Sequence, residues 1–321
     1  MTSLSGFSST DYSMQKIYFI LLMCCLVITG SAQSWNAKPT GEQIKTHLEW
    51  VKQELKNPDS KNILVTAHRG DWRNAPENSV QGLLGCINMG VDMVEIDLKM
   101  TKDGQLILMH DKMIDRTSNG KGLPRNMTLD SVRTFFLKSG ITQLTRHKIP
   151  TFEEYMLTAK GKMYICVDKC YPYLKDVIQV LKKTGTLDQV LLNGEKTLTE
   201  NLQDYGDLIR QVNFKPIVNT NEPAHIEEYL SGIHPAVIEI VYPTDSSKYI
   251  QNSWLITSKG IKIWHNALWA ELCAGHTDDV AVEQNKPQDS WEWIINHGAT
   301  IIQTDRPQLL LNYLRERKLH I

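Results

Sequence analysis

The sequence lacks most of what would place a chain in a simple class. It has almost no net charge: 35 basic and 36 acidic side chains leave −1 at neutral pH. So even a balance provides no overall field to gather nucleic acid or an anionic membrane, and no nucleic-acid partner is expected. It has no internal repeat and no low-complexity stretch. Its longest apolar run, Ile17 to Ile28, is 12 residues, too short for a helix that spans a bilayer. It has six cysteines, but their spacing fits neither a zinc site nor a dense disulfide framework. HExxH is missing, which removes the commonest zinc-hydrolase signature. What remains is an ordinary globular composition, 41% hydrophobic and 22% charged over 321 residues, enough for one large domain or two smaller ones.

The apolar run has a place of its own. Lys16 precedes it and the small residues Gly30, Ser31 and Ala32 follow, the layout of a signal peptide cleaved near Ala32. Residues 1–32 are therefore expected to be a leader, and residues 33–321 an exported (periplasmic or extracellular) domain. Removing the leader removes Cys24 and Cys25. Cys86, Cys166, Cys170 and Cys273 remain, and their apolar settings predict buried free thiols.

From residue 41 onward the hydrophobic period switches regularly. A helical pattern over Gly41–Leu55 predicts a lid under the main fold. Eight predicted strands follow, at 63–67, 93–98, 163–168, 190–193, 211–214, 236–241, 261–264 and 300–303, separated by helical patterns. One long excursion, about 99–162, interrupts them after the second strand and holds a short strand at 106–109. Strands alternating with helices imply a parallel sheet with helical crossovers. Eight units in this length suit a closed (β/α)8 TIM barrel. The alternative, an open doubly wound sheet, wants a Gly-rich turn after the first strand, and none is there.

A barrel makes its site at the carboxyl ends of its strands, and the polar residues gather there: His68 and Arg69, Glu95 and Asp97, His110, Asp168 and Lys169, Asn193 and Glu195, Glu239, His265, Asp305. Glu95 and Asp97 are two apart on a strand and share a face. Two carboxylates so close call for positive charge, either a hard divalent cation (Mg²⁺ or Ca²⁺) or ion pairs with Arg69 or Lys169. The paired histidines suit general acid and base work near neutrality. Arg69 and Lys169 supply positive charge for a phosphoryl oxygen. Together these residues point to displacement at phosphorus.

The motifs Ala67-His68-Arg69-Gly70, Pro76-Glu77-Asn78-Ser79, Glu95-Ile96-Asp97, His110-Asp111 with Asp115-Arg116-Thr117, Ile149-Pro150-Thr151-Phe152-Glu153-Glu154 and Thr304-Asp305-Arg306-Pro307 occur in this order. In that order and combination the chain resembles the glycerophosphodiester phosphodiesterase family. The resemblance implies a TIM barrel that hydrolyses glycerophosphodiesters to an alcohol and glycerol 3-phosphate with a divalent metal. It implies His68 and His110 as the acid/base pair, Arg69 on phosphate, and Glu95 and Asp97 as metal ligands. Asn78 would brace the first loop and Glu77 would organise it. An aromatic on the seventh strand, here Trp264, would line the substrate pocket.

The chain departs from the family on the third strand, where Glu-x-Lys is usual. Here Lys169 is present but Val167 stands at the Glu position; Asp168, adjacent, is expected on the opposite face of a regular strand unless a bulge turns it in. Asp168 is the favoured third ligand, with Glu239 or water as alternatives. The partner implied is a small phosphodiester, without stable membrane insertion and without a protein partner. Two other readings stay open: a phospholipase D-like barrel acting on intact lipid, which would want a long apolar loop, and a degenerate barrel that binds a phosphodiester without turnover.

Overall fold

The computed structural model describes residues 38–321; the predicted leader at residues 1–32 lies outside them. Short β-branched runs form β1 (Leu64–Ala67), β2 (Met93–Met100), β3 (Leu106–Leu108), β4 (Tyr164–Asp168), β5 (Val190–Gly194), β6 (Phe214–Asn219), β7 (Val237–Val241), β8 (Lys262–Asn266) and β9 (Ile301–Thr304). Eight of these pair in parallel, and β1 joins both β2 and β9, so the sheet closes. The closed eight-stranded parallel barrel is the one the alternation predicts. β3 stands outside it, antiparallel to the extended end of β2. Among the described residues no helix is long and apolar enough to cross a membrane.

Strand parity separates two apolar zones. Outward residues such as Val65, Ile96, Val167, Leu192 and Ile263 meet the helices in the main core. Inward residues of the lower barrel, among them Leu64, Met93, Tyr164, Trp264 and Ile301, meet Leu48, Val51 and Leu55 of the first helix, α1 (Gly41–Lys56). α1 starts at Thr40, whose hydroxyl and Gln43 form a capping box, and it closes the barrel floor. Burying its three apolar side chains contributes about 1.5–3 kcal/mol each. The excursion after β2 carries a small core of its own, with Ile107, Met109, Ile114, Val132, Leu137 and Ile149. It therefore holds its shape over the barrel mouth.

Three expectations need correction. The strand predicted at 211–214 lies at Phe214–Asn219, and residues 206–211 form a 3-10 turn. Lys215 and Pro216 disguise this strand, because a fully buried lysine and a proline both read as strand breakers. The helical pattern between the sixth and seventh predicted strands, over 248–258, is two short helices, Lys248–Gln251 and Trp254–Thr257. The segment after β8 holds two short helices that the periodicity did not reveal, Ala270–Cys273 and Asp278–Val282; one turn is too short to show a period. The four remaining cysteines are free and buried, as expected.

Candidate active site

Register brings three carboxylates together. β2 and β4 pair with Asp97 opposite Asp168 and Glu95 opposite Cys166, so these four side chains share the inner face. Ile96 and Val167 point outward into the main core. Asp168 thus needs no bulge to reach the interior; the expectation that a regular strand turns it away is corrected. Oxygens of Glu95, Asp97 and Asp168 lie within 4.8 Å of one another. Glu239, the alternative, is occupied: Lys215 Nζ contacts one carboxylate oxygen and Asn266 Nδ2 donates to the other at 2.8 Å.

The three acids do not share their surroundings equally. Burial, then the charges of Asp97 and Asp168, pushes Glu95 well above the usual carboxylate range. Burial and then Asp97 raise Asp168 as well. Asp97 is held below its ordinary value: burial opposes ionisation, but Lys169, His110 and Arg69 outweigh it. Glu95 Oε2 accepts the Arg69 amide at 3.0 Å, and the Lys169 charge and amide offset part of the rise at Asp168. Two buried acids and a half-buried third, with the nearby cations turned mainly to Asp97, fit a hard dication that takes oxygen ligands.

Asp97 is also where the backbone is forced. Arg69, Asn78 and Lys169 all have positive φ, at 54°, 53° and 53°. That region is unfavourable for side chains bearing Cβ. All three reach Asp97. Asn78 Nδ2 donates to it at 2.8 Å while the Asp97 amide donates back to Asn78 Oδ1 at 3.0 Å. Lys169 Nζ lies 2.5 Å from Oδ1, and Arg69 Nε lies 3.6 Å from Oδ2. The left-handed turn at Lys169 explains the departure on β4. In an extended strand Lys169 would point away from Asp168; the turn brings the ammonium back over Asp97.

Each histidine is held by an aspartate. His68 Nδ1 is 2.8 Å from Asp305 Oδ1, which also accepts Trp72 Nε1 at 2.7 Å. The Asp305 amide in turn donates to the buried Asp278 at 2.6 Å. His110 Nδ1 is 2.7 Å from Asp111 Oδ1. Arg116 clamps that aspartate and Glu77 with paired bonds, between 2.6 and 2.9 Å, and Glu77 accepts from Arg69 as well. Arg116 holds Asp111 well below the usual range. Burial holds His110 below the ordinary imidazole value. In both rings Nδ1 is engaged, which leaves Nε2 for a ligand.

A cavity of about 310 Å³ opens beside this group, lined by His68, Arg69, Trp72, Lys138, Ser139 and Trp269 among others. Trp264 is not part of it. It is fully buried in the lower barrel, paired in register with Glu239 and Ile301, and its ring covers Lys215 at 3.7 Å. The aromatic at the mouth is Trp269, with its ring centroid 5.8 Å from that of His68. His265 also lies away from the site, buried against Tyr242. Glu195 is exposed just past the end of β5 and lies outside the triad. Sequence reasoning noted Asp305 but not its hold on His68. Its place directly after the last strand was the available signal. Lys138 and Ser139 lie in the excursion, where no period announced them.

Comparisons with known proteins agree with this arrangement. Residues 68–213 match the family described as glycerophosphoryl diester phosphodiesterase, and residues 193–314 match a domain of unknown function. A glycerophosphodiester phosphodiesterase of Caldanaerobacter subterraneus is 39% identical over 140 residues, 40% of this chain and 57% of the relative. One from Bacillus subtilis is 36% identical over 114 residues, 33% of this chain and 38% of the relative. The chain thus spans little more than half, or less, of the length of these curated relatives. A glycerophosphoryl diester phosphodiesterase from Parabacteroides distasonis superposes with a TM-score of 0.67 at 21% identity, over 87% of this chain and 93% of that one. An Oleispira antarctica phosphodiesterase, solved with sn-glycerol-3-phosphate as product, does so with a TM-score of 0.57 at 21% identity, over 78% and 96%. At such identities these likenesses are of fold.

Proposed function

Because residues 68–213 match the glycerophosphoryl diester phosphodiesterase family, we propose that this chain hydrolyses glycerophosphodiesters to an alcohol and glycerol 3-phosphate. The observation that carries the reading is the convergence of Glu95, Asp97 and Asp168 between two aspartate-held histidines. The product bound by the Oleispira antarctica neighbour supports glycerol 3-phosphate as the phosphate-bearing product.

In this reading Glu95, Asp97 and Asp168 hold Mg²⁺ or Ca²⁺. The metal would serve as a Lewis acid that polarises the phosphoryl oxygens. Arg69 and Lys169 bind the non-bridging oxygens and neutralise charge that grows on them in the transition state. His68 and His110 work through Nε2: one removes a proton from the attacking hydroxyl, and the other gives a proton to the departing alkoxide. Asp305 and Asp111 fix the ring tautomers and stabilise the imidazolium form. Trp72 and Trp269 flank the cavity beside His68, where they would pack on the substrate. The N-terminal apolar run supports export through a cleaved leader, which N-terminal sequencing of the mature protein would test.

The test is a panel of glycerophosphodiesters incubated with and without chelator, with glycerol 3-phosphate measured as product. Metal-dependent release of glycerol 3-phosphate is expected. Binding of the panel under saturating metal, with no release, would instead favour the barrel that binds without turnover.

A further inference from the structure

The overall charge of −1 hides a strong local imbalance. Residues 110–148, the outer part of the excursion, carry eight Lys and Arg against three Asp, a net charge of +5 that leaves −6 for the rest. Of those eight, only Arg116 and Arg133 lie within ion-pairing distance of a carboxylate among the described residues. The others, including exposed Lys112, Lys121 and Arg146, have no acidic partner.

Exposed apolar side chains occur on the loops around the cavity. Nine large hydrophobic residues are exposed among the described residues, and four of them are Met113, Ile141, Leu144 and Trp269. These belong to three loops that supply the walls of the cavity: Arg116 follows Met113, Gly140 and Thr142 flank Ile141, and Trp269 is itself a wall. Ile141 is 74% exposed between two wall residues. Nor is its loop loose: Gly140 packs so tightly on the Trp72 ring and carbonyl that a Cβ there would meet them at 3.0–3.2 Å. A fixed loop with an apolar tip, in a segment of net positive charge, is a pattern that suits an anionic lipid interface: the tips enter the headgroup boundary and exposed cations of the segment meet the negative surface.

We propose that the 110–148 excursion and the Trp269 loop form a docking surface for an anionic lipid membrane, which lays the barrel mouth against the headgroup layer. Docking adds a route to the site, because a phosphodiester that still carries an acyl chain could enter the cavity from the bilayer. The interaction is peripheral: a few tips reach the interface, and among the described residues no helix is long and apolar enough to cross it.

The test uses the full chain with vesicles of phosphatidylcholine, alone or mixed with phosphatidylglycerol, in a co-sedimentation assay over a range of salt. Binding is expected only with phosphatidylglycerol and should weaken steeply as salt rises. The double variant Ile141→Asp/Leu144→Asp should bind about tenfold more weakly or worse, with unchanged thermal unfolding. Acyl chains brominated near the headgroup should quench tryptophan fluorescence in the native chain, and Trp269→Phe should remove most of that quenching. Three results would overturn the proposal. One is equal vesicle binding by native chain and double variant, which would place any attachment elsewhere, such as the N-terminal apolar run. Another is equal binding to phosphatidylcholine alone. The third is binding to the soluble polyanion heparin with none to vesicles, which would mark a polyanion site instead.

Discussion

Strand β2 has a buried carboxylate centre at each end. At its amino end Asp92 accepts the Val65 amide at 2.7 Å and lies 3.0 Å from both His47 and His320. Burial works against its ionisation, but His320 and His47 more than offset this and hold it at about 2. At its carboxyl end Glu95 and Asp97 meet Asp168, and burial with mutual repulsion drives Glu95 well up. The same strand thus presents one acid supplied with every partner it needs and a group left short of positive charge. The first arrangement is what folding alone would produce. The second is unfavourable for folding and makes sense if a ligand completes it.

The largest effect that would sharpen this contrast is loss of catalysis. Glu95→Gln should lower hydrolysis by about a hundredfold or more, since even outer-sphere changes at metal sites reach that range. The same variant should unfold no earlier than the native chain in chelator, because it removes a buried repulsion. A variant that keeps full activity would break the comparison. Next comes Asp92→Asn at the other end, expected to cost about 3 kcal/mol of stability by stripping two histidines of their acid. Its turnover per folded molecule should be unchanged; denaturant titration alongside the hydrolysis assay checks both.

Metal should stabilise one end only. In the native chain Mg²⁺ or Ca²⁺ at a hundredfold excess over its dissociation constant should add about 2–3 kcal/mol, read as a rise in Tm. Glu95→Gln should lose most of that rise, and Asp92→Asn should keep it. If both variants respond alike, the cation binds elsewhere.

The pH response should be of similar size and belong to the lower end. Asp92 has a folded pKa of about 2, below the ordinary 3.8. Its contribution of about 2 kcal/mol is therefore present above pH 3.8 and lost as pH falls through 2. His320 is shifted the opposite way: burial lowers it, but the Asp92 charge more than compensates and raises it above 6.5. Its contribution is complete below pH 6.5 and lost as pH rises through the folded value. Asp92→Asn should flatten both limbs of a stability curve measured in chelator. The smallest effect expected is on the aromatics. Trp269→Ala should raise KM a few-fold, and Trp264→Phe should leave KM unchanged.

The sequence shows most of this because its signals are local. Period-2 strands and their exit residues revealed the barrel, and a two-residue spacing revealed that Glu95 and Asp97 share a face. Parity does not say which face of a strand is the inner one, and it ends where the strand does. Asp168 was placed by pairing with β2, which no single strand displays, and Lys169 was returned to the site by a left-handed turn that periodicity cannot anticipate. Trp264 was misread because a strand's length does not say how deep a residue sits in a barrel; two pairings put it at Lys215. The lipid-facing surface was missed because charge summed over the whole chain cancels what one excursion concentrates.

Arg69, Asn78 and Lys169 have one more consequence. Each left-handed residue holds a conformation that unfolding would relax, of order 1 kcal/mol apiece. Glycine at any of the three would remove that tension, but it would also remove a contact with Asp97. Selection for heat resistance and selection for turnover therefore pull against each other at these three positions. A lineage of this protein driven only toward robustness should drift to glycine there, and its site should fall silent while the barrel endures.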